Sequence, residues 1–204
     1  VSASALRFAV QQGGEVVLVA PDGQTQPLAA APVTFYALTD LTGQPGAAQQ
    51  VYALGPEGAA PLDFIQDVNQ GFAAWRDPAS NEVRLAWDTY SVGAATGALQ
   101  SQILVSDPTG EQTRVLIDET GSERVLRVVG WAPDGQRLFY SKEPLGLGGY
   151  LLFSGVSDLW AYDWTTGESA TLVPEAAAGN TCLDDFTLTA ALVALHCAED
   201  QISV

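Results

Sequence analysis

The chain has 204 residues, and its 24 Asp and Glu against 8 Lys and Arg give a formal net charge of −16 at pH 7. Because a protein that binds a nucleic-acid backbone needs clustered cations, this charge excludes nucleic acid and anionic membrane surfaces as partners. The 47% hydrophobic and 16% charged composition is typical of a chain that folds around a core, not of an acidic disordered tail. No apolar run approaches the roughly 18 to 20 residues of a spanning helix, so we expect no membrane span. The sequence contains no methionine, and we expect the chain to be a processed or excised piece of a longer product.

Short β-rich runs follow one another along the chain, and no apolar pattern with the period of a helix persists. The runs are rich in Val, Leu, Phe, Tyr and Trp and are bounded by Gly, Pro and Asp, which favour turns. The sequence therefore predicts an all-β fold with strands at residues 6–10, 15–20, 33–39, 50–54, 71–75, 83–87, 102–106, 125–131, 137–141, 158–163, 170–173, 186–189 and 192–197. The stretches 89–99 and 143–157, rich in Gly, Ala and Ser, are predicted to be exposed connections.

Two hairpin patterns repeat in the sequence. The first pattern occupies residues 75–87 and 131–140, with a degenerate copy at 186–195. The second pattern follows at 102–116 and 158–172, with earlier copies at 15–28 and 50–62. Trp75, Trp131 and Phe186 hold equivalent positions and recur about every 55 residues, a length that suits one four-stranded propeller blade with long loops.

The motif WAPDGQRL at residues 131–138, followed by DLWAYDWTTGE at 158–168, resembles the blade motif of TolB-like β-propellers, the WD-like repeats of bacterial periplasmic and surface proteins. The resemblance implies one β-propeller domain, or a section of a propeller, over residues 1–204. It is built from four-stranded antiparallel blades at about 1–30 (partial), 31–68, 69–119, 120–175 and 176–204 (partial). Either the terminal pieces join to close a small ring, or the chain belongs to a larger ring or is completed by another chain. We favour the second arrangement, because an open arc would expose strand edges.

Propellers of this family serve as binding discs, gating domains and enzyme scaffolds, so the resemblance does not fix an activity. We expect a non-enzymatic interaction module of an exported bacterial protein, located in the periplasm, on the cell surface or outside the cell. It would engage a protein or polymer partner through rim loops. The alternatives are an accessory or gating propeller of a hydrolase whose catalytic part is not in this chain, and a structural subunit of a larger assembly.

Recurrence separates packing residues from contact candidates. Trp75 and Trp131 recur with the repeat, which indicates packing between blades rather than a carbohydrate platform. Trp164 instead lies in a turn where other copies carry Pro, so we expect it to be exposed and to contact the partner. Asp163, Trp160 and Tyr150 are the neighbouring contact candidates.

Acidic residues beside the turns invite a calcium interpretation, but each turn offers one carboxylate next to Gly. Hard cations need several converging oxygens, so Asx turns, in which the carboxylate accepts from the backbone, are the better interpretation of Asp22, Asp107, Asp134 and Asp163. The densest acidic cluster contains Asp184 and Asp185, which are weak metal candidates. We expect no cofactor.

No catalytic constellation is visible in the sequence. His196 is the only histidine, and the sequence has no Gly-x-Ser-x-Gly motif that would supply a nucleophile for it to activate. We therefore interpret His196 as structural. The arginines are dispersed, and several, such as Arg84 and Arg137, alternate outward on strands, which argues against a sialidase-like arginine cluster.

Two cysteines, Cys182 and Cys197, flank a predicted hairpin whose turn is at Thr189 and Ala190. A turn there would place the cysteines opposite each other, at the separation a disulfide requires. The alternative is two buried thiols. A disulfide would indicate an oxidising, exported setting.

Overall fold

The computed structural model describes residues 8–12, 15–19, 24–27, 34–39, 50–93, 97–122, 124–144, 158–173, 185–188 and 193–196. Within these ranges every regular element is a β-strand and there is no helix, so the predicted all-β class is confirmed. The strands are β1 (Phe8–Gln12), β2 (Glu15–Val19), β3 (Thr25–Pro27), β4 (Phe35–Thr39), β5 (Gln50–Gly55), β6 (Gly58–Pro61), β7 (Val68–Arg76), β8 (Val83–Val92), β9 (Leu99–Ser106), β10 (Arg114–Asp118), β11 (Arg124–Trp131), β12 (Arg137–Pro144), β13 (Asp158–Asp163), β14 (Ser169–Val173), β15 (Asp185–Leu188) and β16 (Val193–His196).

The strands form antiparallel sheets in which chain neighbours pair, and the chain divides into two compact units. The first unit, Val1–Gln66, contains the three-stranded sheets β1-β2-β3 and β4-β5-β6. The second unit, Asp67–Val204, contains the four-stranded sheets β7-β8-β9-β10 and β11-β12-β13-β14 and the hairpin β15-β16. The two four-stranded sheets of the second unit carry the site described below.

The connection between β8 and β9 is shorter than the sequence predicts. Residues 89–92 and 99–101 continue the antiparallel ladder, with Tyr90 opposite Ser101 and Val92 opposite Leu99, so the predicted connection at 89–99 is wrong at residues 89–92 and 99. Thr, Tyr and Val favour extended backbone, which explains why the strands persist there. Beyond the ladder, the Gly93 amide donates to the Ala98 carbonyl at 2.9 Å, and the Gly97 amide donates to the Gly93 carbonyl at 2.8 Å.

A shared core lies where β11 and β12 pack against the face of the β7–β10 sheet. Its buried members come from both sheets: Ala86, Ile103, Val105, Leu126, Val128, Trp131, Leu138 and Tyr140. Trp131 is 7% exposed, and Trp75 packs against the same cluster, so the packing interpretation of these two recurrent tryptophans is confirmed. Burial of this apolar surface is the main term that holds the two sheets together.

Two buried polar side chains tie β11 to the neighbouring sheet. The Asp88 carboxylate accepts a hydrogen bond from the Val128 amide at 2.8 Å, and the Ser101 hydroxyl accepts one from the Leu126 amide at 2.8 Å. Both side chains are fully buried, so these bonds satisfy groups that would otherwise be costly to remove from water. They also fix how far β11 can slide along the sheet.

The last described hairpin differs from its predicted register. Asp185 pairs with His196 and Leu188 with Val193, so the pairing is centred one residue later in the chain than a turn at Thr189 and Ala190. The described pairing therefore does not meet the condition on which the facing cysteines depend, a turn centred between Thr189 and Ala190. Cys182 and Cys197 themselves lie outside the described residues, and the disulfide stays a prediction.

Candidate functional site

Four turns of the two four-stranded sheets lie together, and we call them the turn end: residues 77–82, 107–113, 132–136 and 164–168. Because strands alternate in direction, the first and third turns of a meander lie at the same end of its sheet. The two sheets are joined at this end, since the indole Nε1 of Trp75 donates to the Pro133 carbonyl at 3.1 Å. The turn end therefore gathers loops from both sheets.

Each turn of the turn end contains or directly follows an aspartate whose carboxylate accepts a hydrogen bond from the backbone that comes after it. Asp77 accepts from the Ala79 amide, Asp107 from the Thr109 amide and Asp134 from the Gln136 amide, at 2.8 to 3.1 Å. These are the Asx turns predicted at Asp107 and Asp134. The remaining predicted one, Asp22, lies outside the described residues.

Asp163 caps the fourth turn in the same way. Its carboxylate oxygen accepts from the Thr166 amide at 3.0 Å and the Thr165 amide at 2.9 Å. The Thr166 hydrogen bond, followed by the Thr165 bond, lowers the pKa of Asp163 below its ordinary value. The Asx turn predicted here is confirmed, and the carboxylate proposed as a partner contact is occupied within its own turn.

Trp75 packs directly on the turn between β11 and β12. Gly135 has a φ of +68°, and a Cβ added there would lie 2.3 Å from two atoms of the indole ring. Only glycine meets both conditions without strain, since left-handed backbone is costly for other residues. This contact closes the base of the turn end.

Trp164 belongs to the fourth turn of the turn end and contacts two arginines of the other sheet. The guanidinium carbons of Arg84 and Arg114 lie 4.6 and 5.1 Å from its ring centroid, within the range of cation–π contacts. Its ring also meets Trp131 edge-on, with centroids 5.4 Å apart. Because of this cover, the indole is only half-exposed, and the prediction of an exposed Trp164 is wrong in that respect.

The two arginines differ in what they contact. Arg84 is 17% exposed and bonds Glu82 at 2.9 Å and the Gly135 carbonyl at 3.2 Å, with Trp75 on its other side at 4.8 Å. The expectation that Arg84 points outward is therefore wrong, because the neighbouring sheet covers it. Arg114 is exposed, and no carboxylate of the described residues pairs with it.

These side chains border a cleft of about 350 Å³, which we call the Arg114 cleft. It is lined by strand ends of one sheet and a turn of the other: Glu82, Val83, Arg84, Val105, Ser106, Asp107, Gln112, Arg114 and Trp164. Its volume falls at the lower end of the range for ligand sites. The Ser106 hydroxyl shares a hydrogen bond with the Thr113 hydroxyl at 2.9 Å, an arrangement without a base to activate it. The lining of the cleft therefore combines cations, an aromatic ring and hydrogen-bonding groups.

The structure does not bring Trp160 into the Arg114 cleft. Trp160 is on β13, four residues before Trp164 and therefore roughly 13 Å from it along the chain. There its ring stacks on that of Tyr140, with centroids 6.3 Å apart. Burial raises the pKa of the Tyr140 hydroxyl above its ordinary value. Lys142 lies over the Trp160 ring at 4.0 Å and forms an ion pair with Glu119, which joins the two sheets at the end opposite the turn end.

The other predicted site residues cannot be placed in a site. Tyr150 and Asp184 lie outside the described residues, and Asp185 and His196 are described only as the first residue of β15 and the last of β16. Within the described ranges, no group of three or more His, Cys, Asp or Glu side chains converges as a metal site would require.

The sequence interpretation missed Arg84 and Arg114 as site residues. Only their positions could have identified them: each lies within the first two residues of a strand that starts at the turn end. Two strands of one meander that start at the same end bring such residues together. Their meeting with Trp164, however, depends on the packing of a second sheet.

No protein-family model and no curated protein matches this chain. Among the described residues, no helix is long and apolar enough to cross a membrane.

Proposed function

We propose that the chain is a section of a β-propeller that acts as a non-enzymatic binding module of an exported bacterial protein, with the Arg114 cleft as its contact site. Two four-stranded antiparallel meanders packed face to face support the propeller part, since neighbouring blades pack in this way. The TolB-like motif at 131–138 and 158–168 supports the exported bacterial setting.

One observation carries the binding function: an exposed arginine is held over a half-buried tryptophan at a cleft formed by strand ends and turns. Trp and Arg are the residues most enriched among those that dominate binding energy at protein interfaces. Here the ring is already positioned by Trp131 and Arg84, so little side-chain freedom remains to be lost on binding. A rigid anchor of this kind favours a protein partner.

Site-specific photocrosslinking in the producing cell tests the function. A photoreactive phenylalanine analogue replaces Gln112, an exposed residue of the cleft, or Gln100, an exposed glutamine of β9 at the opposite end, as a matched control. We expect a discrete protein adduct from position 112 and none from position 100. The purified partner should then bind Arg114→Glu at least tenfold more weakly than the unchanged chain. Adducts only from position 100, or equal affinity for both chains, would contradict the proposal.

The propeller arrangement has its own test. An experimental structure of the full gene product should show the four-stranded sheets arranged around one axis, with the turn end on one face of the ring. A two-layer sandwich without such an axis would refute the arrangement and leave the binding test unaffected.

A further inference from the structure

The Arg114 side chain offers unused hydrogen-bond donors at the cleft. Its guanidinium has five N–H donors in a planar fork, a geometry that matches a carboxylate in a bidentate pair. The guanidinium carbon lies 5.1 Å from the Trp164 ring centroid, and no described residue accepts a hydrogen bond from these donors. The fork is therefore available to an acceptor that enters the cleft.

The two acidic side chains of the cleft are already engaged. Glu82 pairs with Arg84 at 2.9 Å, and Asp107 accepts from both the amide and the hydroxyl of Thr109, at 3.1 and 2.8 Å. Arg114 is thus a positive charge without an ion-pair partner among the described residues, in a chain whose net charge is −16. The two arginines and two carboxylates of the cleft balance in charge, so it is the unpaired guanidinium of Arg114, not a net positive charge, that favours one anionic group, whereas the overall charge repels a polyanion.

The backbone beside Arg114 favours a peptide as the carrier of that anion. Arg114 begins β10, which is the edge of the order β10-β9-β8-β7, and none of the described strands pairs with its outer side. Val115 on this strand is 44% exposed. Extended peptides bind such edges by adding a strand, with main-chain hydrogen bonds for affinity and side-chain pockets for selectivity.

We infer that the Arg114 cleft recognises an extended peptide segment bearing a single carboxylate, which pairs with the Arg114 guanidinium while the peptide backbone runs along β10. This inference rests on the binding function proposed above and adds the chemistry of the ligand. Arg84 has a supporting role, because its bonds to Glu82 and Gly135 hold its guanidinium 4.6 Å from the centroid of the Trp164 ring.

The experiment uses two blocked four-residue peptides of β-branched residues that differ only in a glutamate or a glutamine at the last position. Binding to the full chain is followed by NMR through the indole N–H signal of Trp164, assigned by its loss in Trp164→Phe. A charge-assisted pair should make the glutamate peptide bind about tenfold more tightly than the glutamine peptide. Arg114→Gln should abolish this difference, and Arg114→Lys should keep only part of it, because lysine lacks the fork. Arg127→Gln, which changes an exposed arginine on β11, is the matched control and should leave it unchanged.

The outcomes separate this inference from the function on which it rests. Equal binding of both peptides, with the Trp164 signal shifted, would overturn carboxylate recognition and leave the cleft as a peptide site. A shift produced by a diuronic acid but by neither peptide would overturn the peptide class. A tenfold preference that survives in Arg114→Gln would overturn the assignment to Arg114. Unaltered folding of each variant is checked by circular dichroism.

Discussion

Substitution of Gly135 by alanine tests the packing that closes the base of the turn end. Two costs should add in Gly135→Ala: left-handed backbone at a φ of +68°, and a Cβ that would meet the Trp75 ring at 2.3 Å. The first costs about 1 to 2 kcal/mol. The second forces the indole to move, which costs about 1 to 3 kcal/mol for overpacking and about 1 kcal/mol for the Trp75–Pro133 hydrogen bond. We expect a total loss of about 3 to 6 kcal/mol in the free energy of unfolding.

Gly97 provides the matched control for this prediction. Its φ is +65°, but a Cβ added there would meet nothing within 4 Å, so Gly97→Ala should cost only the backbone term of about 1 to 2 kcal/mol. Urea unfolding followed by circular dichroism measures both losses. The double variant Gly135→Ala with Trp75→Leu should lose about 1 to 3 kcal/mol less free energy of unfolding than the two single variants lose together, because leucine leaves room for the methyl group. Equal losses at Gly135 and Gly97 would refute the close contact.

Three further predictions concern the contacts between the sheets and the turns. Ser101→Ala should lower the free energy of unfolding by about 1 to 3 kcal/mol, because the buried Leu126 amide loses its acceptor, and urea unfolding measures it. Gly71→Ala should destabilise the chain more than Ser101→Ala in the same assay, since its Cβ would lie 2.5 Å from the backbone of β11, which has no room to move away. Asp163 has a folded pKa lowered chiefly by the Thr166 amide, so its stabilisation is present at neutral pH and is lost as the pH falls through that folded pKa. Asp163→Asn should therefore reduce the dependence of stability on pH in the acid range, and an unchanged acid profile would contradict this role.

The local features of the fold could be predicted from the sequence because they depend on neighbouring residues. Strand composition and turn residues gave the all-β class and the antiparallel hairpins, and a carboxylate next to Gly gave the Asx turns at Asp107, Asp134 and Asp163. The recurrence of Trp75 and Trp131 indicated packing correctly, since a residue repeated at one place in each unit faces the same neighbour. Strand ends were less predictable: small residues near Gly93 concealed the continuation of β8 to Val92.

The site could be predicted only in part, because its members come together through packing between sheets. Trp164 was singled out from its place in a turn, but its contacts with Arg84 and Arg114 depend on strands that are distant in sequence. An arginine at a strand end gives the same local pattern whether it faces water or an indole of the next sheet. Alternation along a single strand identifies its two faces, and it cannot say which face another sheet will cover.

The single lysine of the chain offers a way to observe the two sheets separating. Lys142 lies between Glu119 and the Trp160 ring with only 16% of its side chain exposed. An amine-reactive reagent should therefore acylate Lys142 more slowly than an ordinary surface amine, and separation of the sheets at this end should raise the rate of acylation. The same arrangement gives the protein one internal attachment point for a label, and attachment there would hold the sheets apart.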